Sequence, residues 1–362
     1  MIVAYVSGHG YGHATRVAEV LRAIRAEAPQ APLAVVSAAP EKLFREAVPG
    51  ALVFRSLACD VGLVQQGPLV IDVEATARRW REFAAGRAAR TADEARWLRR
   101  VGARVVLGDV PPLAFEAAAE AHVPAVGLAN FSWDWIYGHL AARHPALREA
   151  ADAAAAAYGQ AALLLQLPFA GDLSAFPRRE AIPLVARRPR MSRMDARRRL
   201  GLPEGGTCVL VSFGGIGMPA VDPRALADLA PMRFLLDAPG PPWPSNVAAL
   251  DAARRDALGM GYQDLVRAAD VVVTKPGYGI VSDAIAAGTR IVYTERGDFP
   301  EYPILVAEMQ RYVPCAHVGN DDLLAGRWRA GIESVLARPV PPAPDLGGAE
   351  AAARRLRAIS AG

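Results

Sequence analysis

The sequence predicts an α/β chain of two doubly wound units in tandem, and three observations carry that reading. Short apolar runs alternate with longer stretches of helical periodicity, the pattern of βα units and parallel sheets. The chain has 362 residues, more than one ordinary domain and suited to two of about 150–200. From Phe176 to Pro203 the chain is rich in Arg and Pro with no long apolar run, which marks the join.

In the first half the strands expected are Ile2–Val6, Leu33–Ser37, Leu52–Ser56, Val105–Gly108, Ala125–Ala129 and Ala162–Leu167. The intervening helices are His13–Glu27, Val73–Arg99 and Leu113–Ala121. The basic join reads as a solvated linker with one short helix, Ser192–Leu200, rather than as a site for an anionic partner. Beyond it, Cys208–Phe213, Arg233–Asp237, Val271–Thr274 and Arg290–Tyr293 read as strands. Tyr262–Ala268, Ile280–Ala286 and Tyr302–Glu308 read as helices. A Pro-rich tether, Pro339–Pro344, leads to an amphipathic pattern at Gly348–Ile359.

Composition narrows the function. A hydrophobic fraction of 52% against 22% charged residues belongs to a chain with large cores, not a disordered one. The formal charge of +4 is small and almost all the cations are Arg, since Lys42 and Lys275 are the only lysines. Abundant Ala, Arg, Gly and Pro fit a GC-rich genome, so Arg content is no argument for nucleic acid, which needs a clustered basic face. Cys59, Cys208 and Cys315 lie far apart without metal-ligand spacing and are expected to be buried thiols in a reducing compartment. The chain opens on a strand pattern with no basic segment before it, and its longest apolar stretch, Ala153–Leu167, is too short to span a bilayer. A soluble, cytoplasmic protein is expected, with peripheral membrane contact and oligomeric state left open.

Three glycine loops carry the candidate chemistry. The first, Ser7-Gly8-His9-Gly10-Tyr11-Gly12-His13-Ala14-Thr15-Arg16, joins strand to helix and exposes N–H groups beside a helix start, where an anion or substrate fits. His13 stands where a dinucleotide fingerprint has its third glycine, and no acid ends the second strand at Val36-Ser37-Ala38, so NAD is not expected. A P-loop motif is absent as well. His13, at the carboxyl end of a parallel strand, is a candidate general base, with substrate-positioning and structural roles as alternatives and His9 as second candidate. Arg16 opposes the dipole of its helix and points to an anionic partner, Asp109 or a ligand phosphate; a surface arginine is the alternative.

The second loop, Ser212-Phe213-Gly214-Gly215-Ile216-Gly217, and the third, Thr274-Lys275-Pro276-Gly277-Tyr278-Gly279-Ile280-Val281-Ser282-Asp283, form a candidate diphosphate cradle, to which Lys275 adds charge. Asp283 could accept two ribose hydroxyls, or could merely compensate a helix dipole. Asp298 and Glu301 could bind sugar hydroxyls. Trp133, Asp134 and Trp135 follow a strand end and form a candidate sugar platform or, alternatively, part of the core. No Asp-x-Asp motif occurs, so no metal or other cofactor is expected to be required.

The third loop with Asp283 resembles the nucleotide-sugar signature of the GT-B glycosyltransferases. The first loop resembles that of the bacterial member that adds N-acetylglucosamine to lipid I, whose histidine maps to His13. A fuller resemblance, spanning nearly the whole chain, is to the glycosyltransferase-like N-terminal half of plant L-arabinokinase and its stand-alone bacterial relatives. It rests on Ser7–Arg16, Asp60-Val61-Gly62 with Gln65 and Asp72, Asp109-Val110-Pro111, Asn130-Phe131-Ser132-Trp133-Asp134-Trp135-Ile136-Tyr137, Gly277-Tyr278-Gly279 and Phe299-Pro300-Glu301. The Asn130–Tyr137 string is the specific part. The departures are Pro276 and Ile280 beside the third loop, and Asp283 where the wider superfamily has Glu.

The resemblance implies two Rossmann-like domains facing across a cleft. Residues 1–186 would bind acceptor and 187–347 the nucleotide sugar, with a helix in 348–362 packing back on the first domain. It implies a donor site at Gly214, Gly215, Ile216, Tyr262, Lys275, Gly277, Tyr278, Gly279, Asp283, Asp298 and Glu301. Acceptor-side residues would be Gly10, Gly12, Arg16, Asp60, Asp109, Trp133 and Asp134. The expected activity is inverting, metal-independent transfer from a UDP-sugar to a small-molecule or glycan acceptor. Kinase activity is not implied, because the sugar-kinase half of arabinokinase, with its own ATP loop, has no counterpart here. The Gly10-x-Gly12-His13-x-x-Arg16 string also resembles the UDP-sugar hydrolase of pseudaminic acid synthesis, where the histidine activates water. A non-catalytic nucleotide-sugar-binding protein is the remaining alternative.

Overall fold

The computed structural model describes residues 1–67, 70–213, 221–236 and 243–361. Two parallel sheets organise it. The first holds β1 (Ile2–Val6), β2 (Leu33–Ser37), β3 (Val53–Ser56), β4 (Val105–Asp109), β5 (Ala125–Ala129), β6 (Leu163–Gln166) and β7 (Arg179–Ala181), in spatial order β3-β2-β1-β4-β5-β6-β7. The second holds β8 (Cys208–Ser212), β9 (Arg233–Leu236), β10 (Val247–Ala249), β11 (Val271–Thr274), β12 (Arg290–Tyr293) and β13 (Cys315–His317), in order β10-β9-β8-β11-β12-β13. Every residue of β1, β2, β4, β5, β8 and β11 is buried, as expected for parallel strands covered by helices on both faces.

Both sheets reverse their winding at one point: between β1 and β4 in the first, between β8 and β11 in the second. Open α/β sheets bind ligands at the carboxyl ends of strands flanking such a switch point. The first glycine loop follows β1 and the third follows β11, so each lies at the switch point of its own sheet. Register sets the partners: Val6 of β1 lies beside Asp109 of β4, which brings the Asp109 side chain to the loop that ends at His13.

Strand ends differ from the sequence expectation by a residue or so, and three strands were not anticipated. β7 is exposed throughout, and β10 and β13 are three-residue strands at sheet edges, too short to give a strand pattern. β7 also lies inside the segment read as linker. The single helix expected over Val73–Arg99 is two, Val73–Ala85 and Arg87–Arg100, broken at Gly86, where glycine's low helix propensity acts. Trp133–Ala141 and Arg148–Tyr158 are helices as well, so Trp133 and Asp134 belong to a first helical turn rather than a free loop.

The last helix, Gly348–Ala361, buries Ala349, Ala352, Ala353 and Leu356, a one-faced i, i+3, i+4, i+7 stripe, and packs on helix Tyr11–Glu27 of the first half. Helix Tyr11–Glu27 also packs on helix Tyr278–Ala287 of the second half, and one apolar cluster runs through both. Among the described residues no helix is long and apolar enough to cross a membrane. All three cysteines are buried free thiols.

Candidate active site

At the first loop the chain turns through Gly10, whose φ of 82° is open to glycine and strained for other residues. Helix Tyr11–Glu27 then starts with no acidic residue in its first turn. His13, 8% exposed, presents Nδ1 to Asp109 Oδ1 at 2.7 Å. Arg16 reaches both oxygens of the same carboxylate and donates from Nη1 to Asn130 Oδ1 at 2.8 Å. Asp109 is fully buried. Burial alone would raise its pKa, but the Arg16 and His13 charges outweigh burial and hold it below the usual carboxylate value. His13 thus turns Nδ1 to the Asp109 carboxylate, and Nε2 is the ring nitrogen that Asp109 does not engage.

The network continues across the seam between the halves. Asn130 donates from Nδ2 to Glu301 Oε1 at 2.5 Å, and Arg296 donates from Nη1 to Glu301 Oε2 at 2.7 Å. Arg16 also lies over the Tyr278 ring at 5.2 Å. The first and third loops meet backbone to backbone: a Cβ added to Gly279 would lie 3.3 Å from Cα of Gly12. Two of the glycines singled out from sequence, Gly12 and Gly279, are thus in contact, and Arg16 lies over the ring of Tyr278 between Gly277 and Gly279 in the chain.

Lys275 follows β11, and its pKa is pushed down to about 8, first by burial and then by the Arg296 charge. Tyr262 donates its hydroxyl to Ser212 Oγ at 2.6 Å and carries Arg187 over its ring at 4.9 Å. Gly214, Gly215 and Ile216 lie outside the described residues.

Several side chains have other partners than those expected. Asp283 is 2% exposed and both its oxygens are held by Arg187, so the carboxylate anchors the join itself rather than standing open to a ribose. Asp298 pairs with His139 at 2.7 Å and Arg143 at 2.9 Å, both from the first half, and Glu301 is shared by Asn130 and Arg296. Both acids tie the halves together. Trp133 offers no stacking face: it is 3% exposed, stacked on Tyr137 at 5.6 Å, with its indole N–H on Asp60 Oδ2 at 2.9 Å. An aromatic in a first helical turn packed on a strand end belongs to the core. Asp134 is half-buried, and burial raises its pKa; among the described residues its Oδ1 has no hydrogen-bond partner.

His9 packs its ring against Gly62, with Nε2 at 3.7 Å from Asp60 Oδ1. Burial, more than any neighbouring charge, lowers its pKa. His9 therefore sits beside Asp60 and Trp133. A cavity of about 40 Å³ is lined in part by Asp60 and Trp133. Sequence reasoning assigned no role to Arg187, Asn130 or Arg296. In an arginine-rich chain a single Arg carries no signal until its neighbours are known.

This is the fold of the GT-B glycosyltransferases. The glycotransferase of kitacinnamycin superposes with a TM-score of 0.62 at 17% identity, covering 99% of this chain and 95% of that one. A UDP-glucosyltransferase from Polygonum tinctorium superposes with a TM-score of 0.57 at 13% identity, covering 100% and 98%. No family model matches the sequence. In sequence the chain is 32% identical to L-arabinokinase of Arabidopsis thaliana over 367 aligned residues. That alignment covers 99% of this chain and 34% of the relative, so the chain spans about a third of the relative's length.

Proposed function

We propose that the chain transfers a sugar from a uridine diphosphate donor to a hydroxyl or amine acceptor with inversion, using no metal. One observation carries the proposal: a buried His13–Asp109 pair at 2.7 Å stands at the switch point of one sheet, against the glycine loop at the switch point of the other. Asp109 fixes the tautomer, so His13 Nε2 accepts the acceptor's proton as its oxygen or nitrogen attacks the anomeric carbon. The sugar–phosphate bond breaks on the opposite face, and the diphosphate leaves carrying the electron pair. The amide groups opening helix Tyr278–Ala287, together with Lys275, take up the developing charge.

Arg16, whose donors are engaged by Asp109 and Asn130, holds Asp109 ionised rather than touching substrate. The glycosyltransferase names of the structural neighbours support the donor class, while L-arabinokinase is a much longer protein and its named activity is not carried over.

The test is His13→Ala. Release of UDP from a donor panel, with and without acceptors, should fall about 10²–10⁴-fold, while UDP affinity stays within about threefold by calorimetry. Loss of UDP binding together with turnover would contradict a base role. Rapid UDP release from donor alone would redirect the reaction to water.

A further inference from the structure

Two neighbouring residues after β5, Asn130 and Phe131, join the His13–Asp109 pair to the second half of the chain. Asn130 is fully buried, and its carbonyl accepts the Gly171 N–H at 2.9 Å. Its side chain accepts from Arg16 on Oδ1 at 2.8 Å and donates from Nδ2 to Glu301 at 2.5 Å. Phe131 runs beside it, with its ring edge-on to the His13 imidazole at 5.5 Å and to the Phe299 ring at 6.3 Å. Glu301 opens helix Glu301–Met309 of the second half, is 2% exposed, and gives its other oxygen to Arg296.

The chemistry of this link admits one arrangement. A guanidinium only donates and a carboxylate only accepts, so a residue standing between them must offer an acceptor on one side and a donor on the other. The Asn130 carboxamide does both, and its two partners fix which way it faces. A buried polar chain of this kind is stable only while every member is matched. Burial alone would lower the Arg16 pKa, but the Asp109 charge, with smaller contributions from Tyr278 and Glu301, holds it above the ordinary value. The charge of Glu301 is therefore felt at Arg16, on the other side of Asn130. Parting the halves would strip Asn130 of Glu301, Phe131 of Phe299 and Arg16 of the Tyr278 ring together.

We propose that Asn130 is a positioning residue through which contact between the halves sets the proposed base: tied to Glu301, it holds Arg16, and Arg16 holds Asp109 against His13. The proposal rests on the reading of His13 as the base and adds a condition to it, that the base is in place only while the seam is shut. Asn130 acts through Arg16, so breaking its link slows turnover without weakening the donor.

The experiment is a charge exchange. Asn130→Asp sets one carboxylate against another at Glu301. Glu301→Gln introduces an amide whose N–H groups must face Asn130 or Arg296, both donors. Made together, the two substitutions restore the match at unchanged total charge: the new carboxylate at 130 accepts from Arg16 and from the new amide at 301, whose oxygen keeps Arg296. UDP release from the donor panel, the donor KM and the melting curve are measured for all four chains. Each single variant should lose about tenfold or more in kcat with donor KM within about threefold, and the exchange should return to within about threefold of wild type. Should the single variants fail to fold, the matched exchange carries the test: it should fold and turn over near the wild-type rate, and an unfolded or inactive exchange overturns the proposal. Single variants that melt lower yet keep the wild-type kcat would show a structural role only and overturn it as well. An exchange no faster than the slower single variant does the same, while leaving the base reading of His13 standing. A wild-type chain that releases no UDP from any donor would sink that base reading, and the role of Asn130 with it.

Discussion

Asp109→Asn removes one charge and almost no volume from the centre of the site, and its effect on stability follows from the surroundings. Arg16 is 5% exposed and Asp109 fully buried, and Asp109 alone among the contacts of Arg16 supplies a full counter-charge at hydrogen-bond distance. Breaking a buried ion pair from one side costs about 3–5 kcal/mol, because the remaining charge is left desolvated. At roughly 2–4 °C per kcal/mol for domains of this size, the melting temperature at pH 7 should fall by about 10 °C.

The pH dependence has a definite sign. The Asp109 pKa is lowered from 3.8 in the folded state, so its stabilisation is fully present above that value and is lost as pH falls through the lower folded value. The variant lacks this acid-sensitive contribution, so the gap between the two proteins narrows in strong acid. Adding Arg16→Met to Asp109→Asn removes the orphaned cation and should recover part of the loss. Scanning calorimetry of the three chains between pH 3 and 8 is the assay. An Asp109→Asn chain that melts within about 2 °C of wild type at pH 7 would refute the claim that this pair is buried and coupled.

Two further outcomes follow from the seam. Gly279→Ala places a methyl 3.3 Å from the Gly12 Cα and must push the loops apart, whereas Gly12→Ala meets the Gly279 nitrogen at an ordinary 3.9 Å. The first should cost about 1–3 kcal/mol, and the second should be neutral or, by glycine-to-alanine helix propensity, slightly stabilising; equal melting temperatures would show that the loops do not touch. Lys275, with its pKa pushed down to about 8, loses its charge as pH rises above that value, so UDP affinity should decline there, approaching tenfold per pH unit. Titrations from pH 6.5 to 9.5 should show that bend in the wild type and lack it in Lys275→Gln; a bend that persists in the variant belongs to another group.

What could be read from sequence has a physical boundary. Fully buried parallel strands such as Ile2–Val6 and Val271–Thr274 appear as continuous apolar runs, because both faces meet helices. Arg179–Ala181 joins a sheet through its backbone alone, and backbone pairing leaves no trace in side-chain polarity. His13 was legible because glycines and a strand end frame it, and Arg16 because a cation early in a helix requires an explanation. Asp109 was marked by the same unmet charge. Arg187 and Arg296 were not legible, since their meaning depends on Asp283 and Glu301, which the fold brings to them. Trp133 was left between a sugar platform and the core because position near a strand end does not say which way a ring turns, and in the fold Tyr137, one helical turn later, stacks on its face.

The tail that returns to the first half has a mechanical consequence. The chain crosses between halves twice, and the crossings lie side by side: Leu184 N donates to Asp345 O and Gly348 N to Leu184 O, each at 3.3 Å. The pairing leaves no room for a larger residue at Gly348, whose Cβ would lie 2.1 Å from Pro183 O. Two adjacent crossings hydrogen-bonded to each other tie the halves at one place. Cutting either one leaves the other tied, and a nicked molecule would keep its halves at high local concentration, free to shut again.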